Sequence, residues 1–236
     1  MEDTPVPFTD HLEELRYRCI VGFIAVGIGT AISYFFVDTL FSFLARPIGS
    51  FIFLRPTEAF FARLKVALAT GILLAMPVLL IQIWKFIVVA LKPSERKSLV
   101  WILPSSYFLF ILGFSFGFFV LVPMGVKFLL SYSSSVLVPQ ISIDEYINFI
   151  GVLCLILGAI FQMPLVTFFI SRLGFIQSQT LPEKRRVAIL VIYGLSALIT
   201  PGPDPVTSFL LASSSYLLFE CSILTAKWGN RKYSLD

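Results

Sequence analysis

The sequence contains few charged residues and few of the residue types that bind metals or perform hydrolysis. Charged residues make up 14% of its 236 residues, whereas about a quarter is usual in soluble domains. There is one histidine, His11, and the three cysteines are widely separated, so no metal-ligand spacing is present. Nucleotide-binding glycine motifs and the HExxH motif are absent as well. The sequence therefore predicts a protein without a metal, a cofactor or enzymatic activity.

Apolar runs dominate what the sequence does contain, and hydrophobic residues make up 57% of the chain. A helix needs about 20 apolar residues to cross the hydrocarbon core of a bilayer. We predict an all-α polytopic membrane protein with a single domain, residues 1–236, and six transmembrane helices, the last two of them short. The predicted spans are 19–37, 66–88, 98–123, 146–171, 187–200 and 205–226. One re-entrant hairpin over the last two runs is the alternative.

The distribution of basic residues predicts the topology. Most of the 18 lysines and arginines precede the first span, follow the last, or lie between spans two and three or spans four and five. Because cytoplasmic loops carry an excess of Lys and Arg, both termini are predicted to be cytoplasmic. The basic residues form short clusters between apolar runs, so we expect no nucleic acid partner. On the outer side, residues 38–65, with Pro47 and Pro56 as helix breakers, and residues 131–145 are predicted to be loops.

A densely charged segment, residues 8–18, runs directly into the uncharged first span. Such a segment is expected at the membrane surface, and its charged side chains are the first candidates for binding a ligand. Glu14 and Arg18 are four residues apart, so a local ion pair between them is the structural alternative.

Prolines interrupt three of the predicted spans. Pro77, Pro104 and Pro164 fall within spans two, three and four, and Pro123 is expected near the end of span three. A proline inside a helix removes a hydrogen bond and bends the helix axis, so the kinked helices are predicted to form a concave groove. Tolerance of each proline by neighbouring helices is the alternative.

Two side chains stand out by their polarity within the predicted spans. Gln162 is deep in span four, and Glu220 lies near the cytoplasmic end of span six. Polar groups at such depth are costly and are functional candidates by default. A hydrogen bond between helices is the alternative for Gln162, whereas Glu220 could extend toward Lys227 or the membrane interface.

Several short segments, in this order on a six-span frame, resemble one known family over nearly the whole chain. They are HLEELR (11–16), Pro47, PVLLIQIWKF (77–86), SER (94–96), FFV (118–120) with Pro123, QMP (162–164), Thr200-Pro201 with Asp204, and Phe219-Glu220. With these residues the sequence resembles the TatC family, the signal-peptide receptor subunit of the twin-arginine protein translocase.

The resemblance implies that Glu14 and Glu95 recognise the paired arginines of a signal peptide at the cytoplasmic face. A carboxylate can accept both arms of an arginine guanidinium, and lysine cannot reproduce this geometry. The other implied signal-peptide residues are His11, Arg16, Phe86 and Arg96. The structural alternative for Glu95 is a helix start, because Ser94 before it is a good N-cap.

The resemblance also implies a location and partners. It places the protein in the bacterial cytoplasmic membrane, in an oligomeric complex with single-span TatA- and TatB-type subunits that exports folded proteins with the proton gradient. Docking contacts for these subunits are implied at Thr200, Thr207 and Ser208, and structural roles on the outer face at Pro47 and Asp204. Many relatives carry glutamate where this chain has Gln162, so a titrating role there is in doubt while hydrogen bonding remains available.

Two other functions compete with this interpretation. A secondary transporter of a small solute is expected to contain internal repeats with broken helices in corresponding positions, and the sequence has no such repeat. A membrane scaffold that binds no cargo is also compatible with the sequence, and direct peptide binding would discriminate against it.

Overall fold

The computed structural model describes residues 8–45, 51–53, 55–89, 99–134, 139–172, 180–200 and 204–231, which are almost entirely helical. The helices are α1 (Phe8–Phe35), α2 (Val37–Ala45), α3 (Pro56–Val89), α4 (Leu99–Phe116), α5 (Val122–Leu130), α6 (Ile143–Ile160), α7 (Met163–Arg172), α8 (Thr180–Glu183), α9 (Arg185–Ile199) and α10 (Pro205–Arg231). A π-helical turn, Gly117–Leu121, joins α4 to α5.

Among the described residues, five helical segments are long and apolar enough to cross a membrane. They are Leu12–Phe35, Pro56–Phe86, Trp101–Leu130, Ile143–Arg172 and Pro205–Gly229. The predicted all-helical membrane protein is thereby confirmed. Helix α9 has 15 residues, which rise about 22 Å and so fall short of the roughly 30 Å hydrocarbon core. The count of six spans, the cytoplasmic termini and the concave groove remain predictions.

The first two predicted spans extend further than the charge pattern indicated. Helix α1 begins at Phe8, so the charged segment 8–18 is continuous with the first span. The prediction of a loop over residues 38–65 is wrong at 38–45, which α2 occupies, and at 56–59, where α3 has already begun. Pro56 is the first residue of α3, a position where the missing N–H group costs no helical hydrogen bond. The Arg63 guanidinium lies 2.7 Å from the Asp38 carboxylate.

The prediction that span three ends near Pro123 is also wrong. The helical path continues from α4 through the π-helical turn into α5, which ends at Leu130. The Val122 N–H donates to the carbonyl of Gly117, five residues earlier. The π-helical turn shifts the hydrogen-bond register just before Pro123, which falls in the first turn of α5, where a proline is well tolerated.

Span four is divided at Pro164, as expected of an internal proline. Helix α6 ends at Ile160 and α7 begins at Met163. The turn between them is tightened, because the Gln162 N–H donates to the Ala159 carbonyl at 3.0 Å.

Residues 51–53 are joined to the residues just before α6. The Ile52 N–H donates to the Ile141 carbonyl at 3.3 Å, and the Ile143 N–H donates to the Ile52 carbonyl at 3.0 Å. The rings of Phe51 and Tyr146 lie 5.3 Å apart. Residues 131–145 are therefore not simply a loop, since α6 begins at Ile143 and the residues before it pair with residues 51–53.

The chain forms two compact units, Met1–Leu44 with Phe60–Tyr107, and Ala45–Ala59 with Phe108–Asp236. In the first unit α1 and α3 approach closely at two glycines. A Cβ added at Gly29 would lie 2.6 Å from the Gly71 carbonyl oxygen, and one at Gly71 would lie 2.5 Å from the Thr30 nitrogen. Small residues permit this backbone approach between membrane helices. The single-domain assignment stays a prediction.

In the second unit α10 packs along α7. The Ser171 hydroxyl donates to the Ala226 carbonyl at 3.1 Å, and the Thr225 hydroxyl donates to the Pro164 carbonyl at 2.9 Å. Both hydroxyls donate to backbone carbonyls of the facing helix. These bonds hold the broken span against α10.

Candidate functional site

Glu14 and Arg18 form an ion pair on the charged part of α1. Arg18 Nη2 donates to Glu14 Oε1, and Arg18 Nη1 donates to the backbone carbonyl of Gln82 on α3 at 3.3 Å. The Arg18 side chain is 12% exposed and that of Glu14 is 29% exposed. Arg18 Nε is buried and has no hydrogen-bond partner among the described residues. The ion pair expected as the structural alternative is therefore present, and it also connects α1 to α3.

An apolar groove of about 320 Å³ lies beside this ion pair, between α1 and α3. Its wall on α1 includes Leu15 and Phe23, its wall on α3 includes Leu79 and Phe86, and Arg18 also borders it. The structure thus brings Phe86, which the family resemblance implies as a signal-peptide residue, to the same groove as Arg18, the ion-pair partner of Glu14. This juxtaposition was not derivable from sequence spacing, because Arg18 and Phe86 are more than sixty positions apart in the chain.

The remaining signal-peptide candidates are only partly described. Arg16 is exposed on α1. His11 lies within α1, but its side chain is outside the described features. Glu95, Arg96 and Pro47 lie outside the described residues, so the proximity of Glu14 to Glu95 stays a prediction. Within the described ranges, no three His, Cys, Asp or Glu side chains are grouped as ligands for a metal ion.

Gln162 lies in the turn between α6 and α7 and is partly buried. Its Nε2 is 3.5 Å from the Gly158 carbonyl, at the outer limit of a hydrogen bond. The Gln162 amide therefore contacts the last turn of α6. Its polarity deep in a predicted span was the sequence feature that singled it out.

Glu220 is engaged from two sides. Arg185 Nη2 donates to Glu220 Oε2 at 2.7 Å, and the Tyr216 hydroxyl donates to Glu220 Oε1 at 2.8 Å. The expected extension toward Lys227 is not what the structure contains. Sequence reasoning missed both partners of Glu220. Tyr216 lies four residues away on the same helix and could have been identified from that spacing, whereas no local pattern points to Arg185.

The residues near the start of α10 are mostly buried. Asp204 caps this helix, because its Oδ1 accepts the Thr207 N–H at 2.6 Å. The Thr200 hydroxyl donates to the Ser196 carbonyl at 2.6 Å. Thr200 is 4% exposed and Thr207 is 0% exposed. Of the three implied docking residues, Ser208 alone retains appreciable exposed surface.

Asp204 Oδ2 and Thr207 Oγ1 are buried without hydrogen-bond partners among the described residues. A Cβ added at Gly125 would lie 2.4 Å from Thr207 Oγ1, so α5 approaches α10 closely here. The absence of a side chain at Gly125 thus makes room for the Thr207 hydroxyl.

These features define a multi-pass α-helical membrane protein with a charged helix start beside an apolar groove. Comparison with known proteins defines it further. Residues 10–213 match the family model described as Sec-independent protein translocase protein (TatC). The chain belongs to the TatC family, and its place is in the Sec-independent protein translocase.

Similar proteins and a solved structure agree along almost the full chain. The chain is 37% identical over 232 residues to the Sec-independent protein translocase protein TatC of Carboxydothermus hydrogenoformans, covering 97% of this chain and 96% of that protein. It is 39% identical over 242 residues to the TatC of Desulforapulum autotrophicum, covering 100% of this chain and 89% of that protein. A crystal structure of the twin-arginine translocase receptor TatC matches with a TM-score of 0.83 and 36% identity, over 93% of this chain and 99% of that chain.

Proposed function

We propose that this protein is the signal-peptide receptor subunit of a twin-arginine translocase and binds paired-arginine signal peptides of folded cargo at its cytoplasmic face. The observation that carries the proposal is the Glu14 carboxylate, which is partly exposed, uses one oxygen for Arg18 and lies on the helix that borders an apolar groove. The similar crystal structure is that of a twin-arginine translocase receptor, which supports the proposal.

A carboxylate suits this role because arginine presents a planar fork of N–H donors. Two such bonds to one carboxylate are short, charge-assisted and oriented, whereas a lysine ammonium binds as a point charge. We assign one peptide arginine to Glu14 and the other to Glu95, with His11, Arg16 and Arg96 around them.

Ion pairs alone are too weak to bind a peptide. An exposed pair contributes about 0 to 1 kcal/mol, whereas apolar burial contributes about 25 cal/mol per Å². Covering roughly 100 Å² of apolar peptide surface thus adds about 2.5 kcal/mol. The groove between α1 and α3, with Phe86 in its wall, is where we expect the apolar part of the signal peptide to contribute.

The proposed setting is the bacterial cytoplasmic membrane, with both termini cytoplasmic. There the chain forms an oligomeric complex with single-span TatA- and TatB-type subunits and the export of cargo is driven by the proton gradient. Ser208 is the docking candidate that burial leaves available. Asp204 is assigned a structural role, which its capping bond to Thr207 supports, and Pro47 is assigned the same.

The test is the affinity of the protein in lipid nanodiscs for a signal peptide with two arginines, compared with the same peptide carrying two lysines. We expect the wild type to prefer the arginine peptide by about tenfold or more, because each lysine lacks the second arm of the guanidinium fork, and a hydrogen bond to a charged group that is partly shielded from solvent contributes about 1.5 to 3 kcal/mol. Glu14→Gln and Glu95→Gln should each reduce that preference.

Glu13→Gln is the matched control, because Glu13 is an exposed carboxylate adjacent to Glu14 on α1. It should leave the preference unchanged. Equal binding of both peptides to the wild-type protein would instead favour a membrane scaffold that does not read cargo.

A further inference from the structure

Arg18 is the inner member of the ion pair on α1, and Glu14 is the outer member. The Arg18 side chain is 12% exposed, less than half the 29% of Glu14. The Arg18 guanidinium also donates to the Gln82 carbonyl on α3. Arg18 is therefore fixed against the neighbouring helix, and Glu14 is fixed to Arg18.

The two carboxylate oxygens of Glu14 are used unequally. Arg18 Nη2 donates to Oε1, and no hydrogen bond from the described residues reaches Oε2. An ionised carboxylate has about four acceptor positions, so Glu14 retains the capacity to accept further donors.

A ligand arginine could reach Glu14 either by displacing Arg18 or by sharing the carboxylate with it. Displacement would leave a mostly buried cation without its counter-ion, and breaking such a pair from one side is strongly destabilising. Sharing leaves the Arg18 contacts in place and adds donors on the exposed side. The unequal burial of the two side chains favours sharing.

We propose that Arg18 is a positioning residue for substrate recognition: it occupies one acceptor position of Glu14 Oε1 and leaves Oε2 and the second position of Oε1 to the two arms of an incoming guanidinium. This inference rests on the proposed function, since it assigns a role to Arg18 in the same binding event. Arg18 contributes by reducing the freedom of Glu14 before the peptide arrives, which is the benefit of preorganisation.

Simple charge counting predicts the opposite effect for the loss of Arg18. Removing a cation next to the site would make the site more negative and would strengthen binding of a dicationic peptide. Removing a positioning residue should weaken that binding. The direction of the change therefore separates the two explanations.

The experiment measures dissociation constants of the full-length protein in nanodiscs for the two-arginine and two-lysine peptides. Arg18→Met removes the donors and keeps an unbranched side chain. Lys85→Met is the matched control, because it removes the same charge from an exposed position on α3, three residues from Gln82. We expect Arg18→Met to weaken binding of the arginine peptide about fivefold and to reduce the preference over lysine, as coupled neighbours do. Lys85→Met should leave binding unchanged or slightly tighter.

A double-mutant cycle tests whether Arg18 acts through Glu14. In the Glu14→Gln background, Arg18→Met should no longer change the affinity, because the group that it positions is absent. If Arg18→Met does not fold, Arg18→Lys replaces it, with a weakening of about twofold that is likewise lost in the Glu14→Gln background.

Binding that is unchanged or tighter in the Arg18 variants, or a loss that persists in the Glu14→Gln background, overturns the inference. A wild-type protein without preference for arginine overturns the proposed function instead. The two failures are thus distinguishable.

Discussion

Two of the carboxylate–arginine pairs among the described residues, Glu14–Arg18 and Glu220–Arg185, have different environments. Glu14 pairs with Arg18 on its own helix and has one oxygen that no described residue uses. Glu220 pairs with Arg185 on a different helix, and Tyr216 occupies its second oxygen. One carboxylate has an oxygen without a described partner, whereas each oxygen of the other already accepts a hydrogen bond within the fold. The number of unused acceptor positions, more than the presence of an ion pair, distinguishes a binding candidate from a helix connector.

The largest effect is expected from the glycines that bring α1 to α3. Gly29→Ala should destabilise the first unit by about 1 to 3 kcal/mol, the usual cost of overpacking, because the new Cβ would lie 2.6 Å from the Gly71 carbonyl oxygen. Thermal unfolding in detergent measures it. Gly27→Ala, on the same helix with no atom within 4 Å of its added Cβ, should be neutral, and equal loss in both variants would contradict this packing.

The next effect concerns the ligand capacity of the two carboxylates. Glu14→Gln should weaken binding of a two-arginine peptide about tenfold, since a charge-assisted bond contributes about 1.5 to 3 kcal/mol. Glu220→Gln should leave that affinity unchanged, because both of its oxygens are already occupied. Titration calorimetry in nanodiscs gives both values. Similar losses in the two variants would remove the distinction between the pairs.

A smaller effect is expected on the connection of α9 to α10. Glu220→Ala should accelerate hydrogen exchange in α9 about fivefold, equivalent to about 1 kcal/mol, because it removes the ion pair that connects α9 to α10. The effect is limited because solvent screening weakens a partly exposed ion pair. Glu14→Ala is the control and should leave exchange in α9 unchanged. Exchange in α9 that is insensitive to Glu220→Ala would show that apolar packing alone holds this helix.

The smallest effect is expected for Tyr216→Phe. The change removes only the hydroxyl that donates to Glu220 Oε1, so hydrogen exchange in α9 should rise about twofold or less. The variant leaves the ion pair with Arg185 intact. An effect as large as that of Glu220→Ala would mean that Tyr216, and not Arg185, holds the carboxylate.

Sequence reasoning predicted the membrane-helical class, because it depends on local composition, and it offered the local Glu14–Arg18 ion pair, because the two residues lie about one helical turn apart. It misjudged Pro123, since the π-helical turn that absorbs this proline depends on hydrogen-bond register and leaves no mark in hydropathy. It also missed Arg185 as the partner of Glu220. That contact joins residues 35 positions apart, and no helical periodicity connects them.

The amino-acid sequence by itself determined where the chain is apolar enough to enter a membrane, that an internal proline divides span four, and which family the chain belongs to. The first two properties follow from transfer free energies and backbone geometry that act over a few residues, and the third follows from short motifs in a fixed order. Tertiary structure decided which polar atoms have partners within the fold and which remain available. The Arg18 contact to Gln82, the Arg185 contact to Glu220 and the burial of Thr207 all arise when residues distant in sequence pack together, because hydrogen-bond satisfaction depends on neighbours in space.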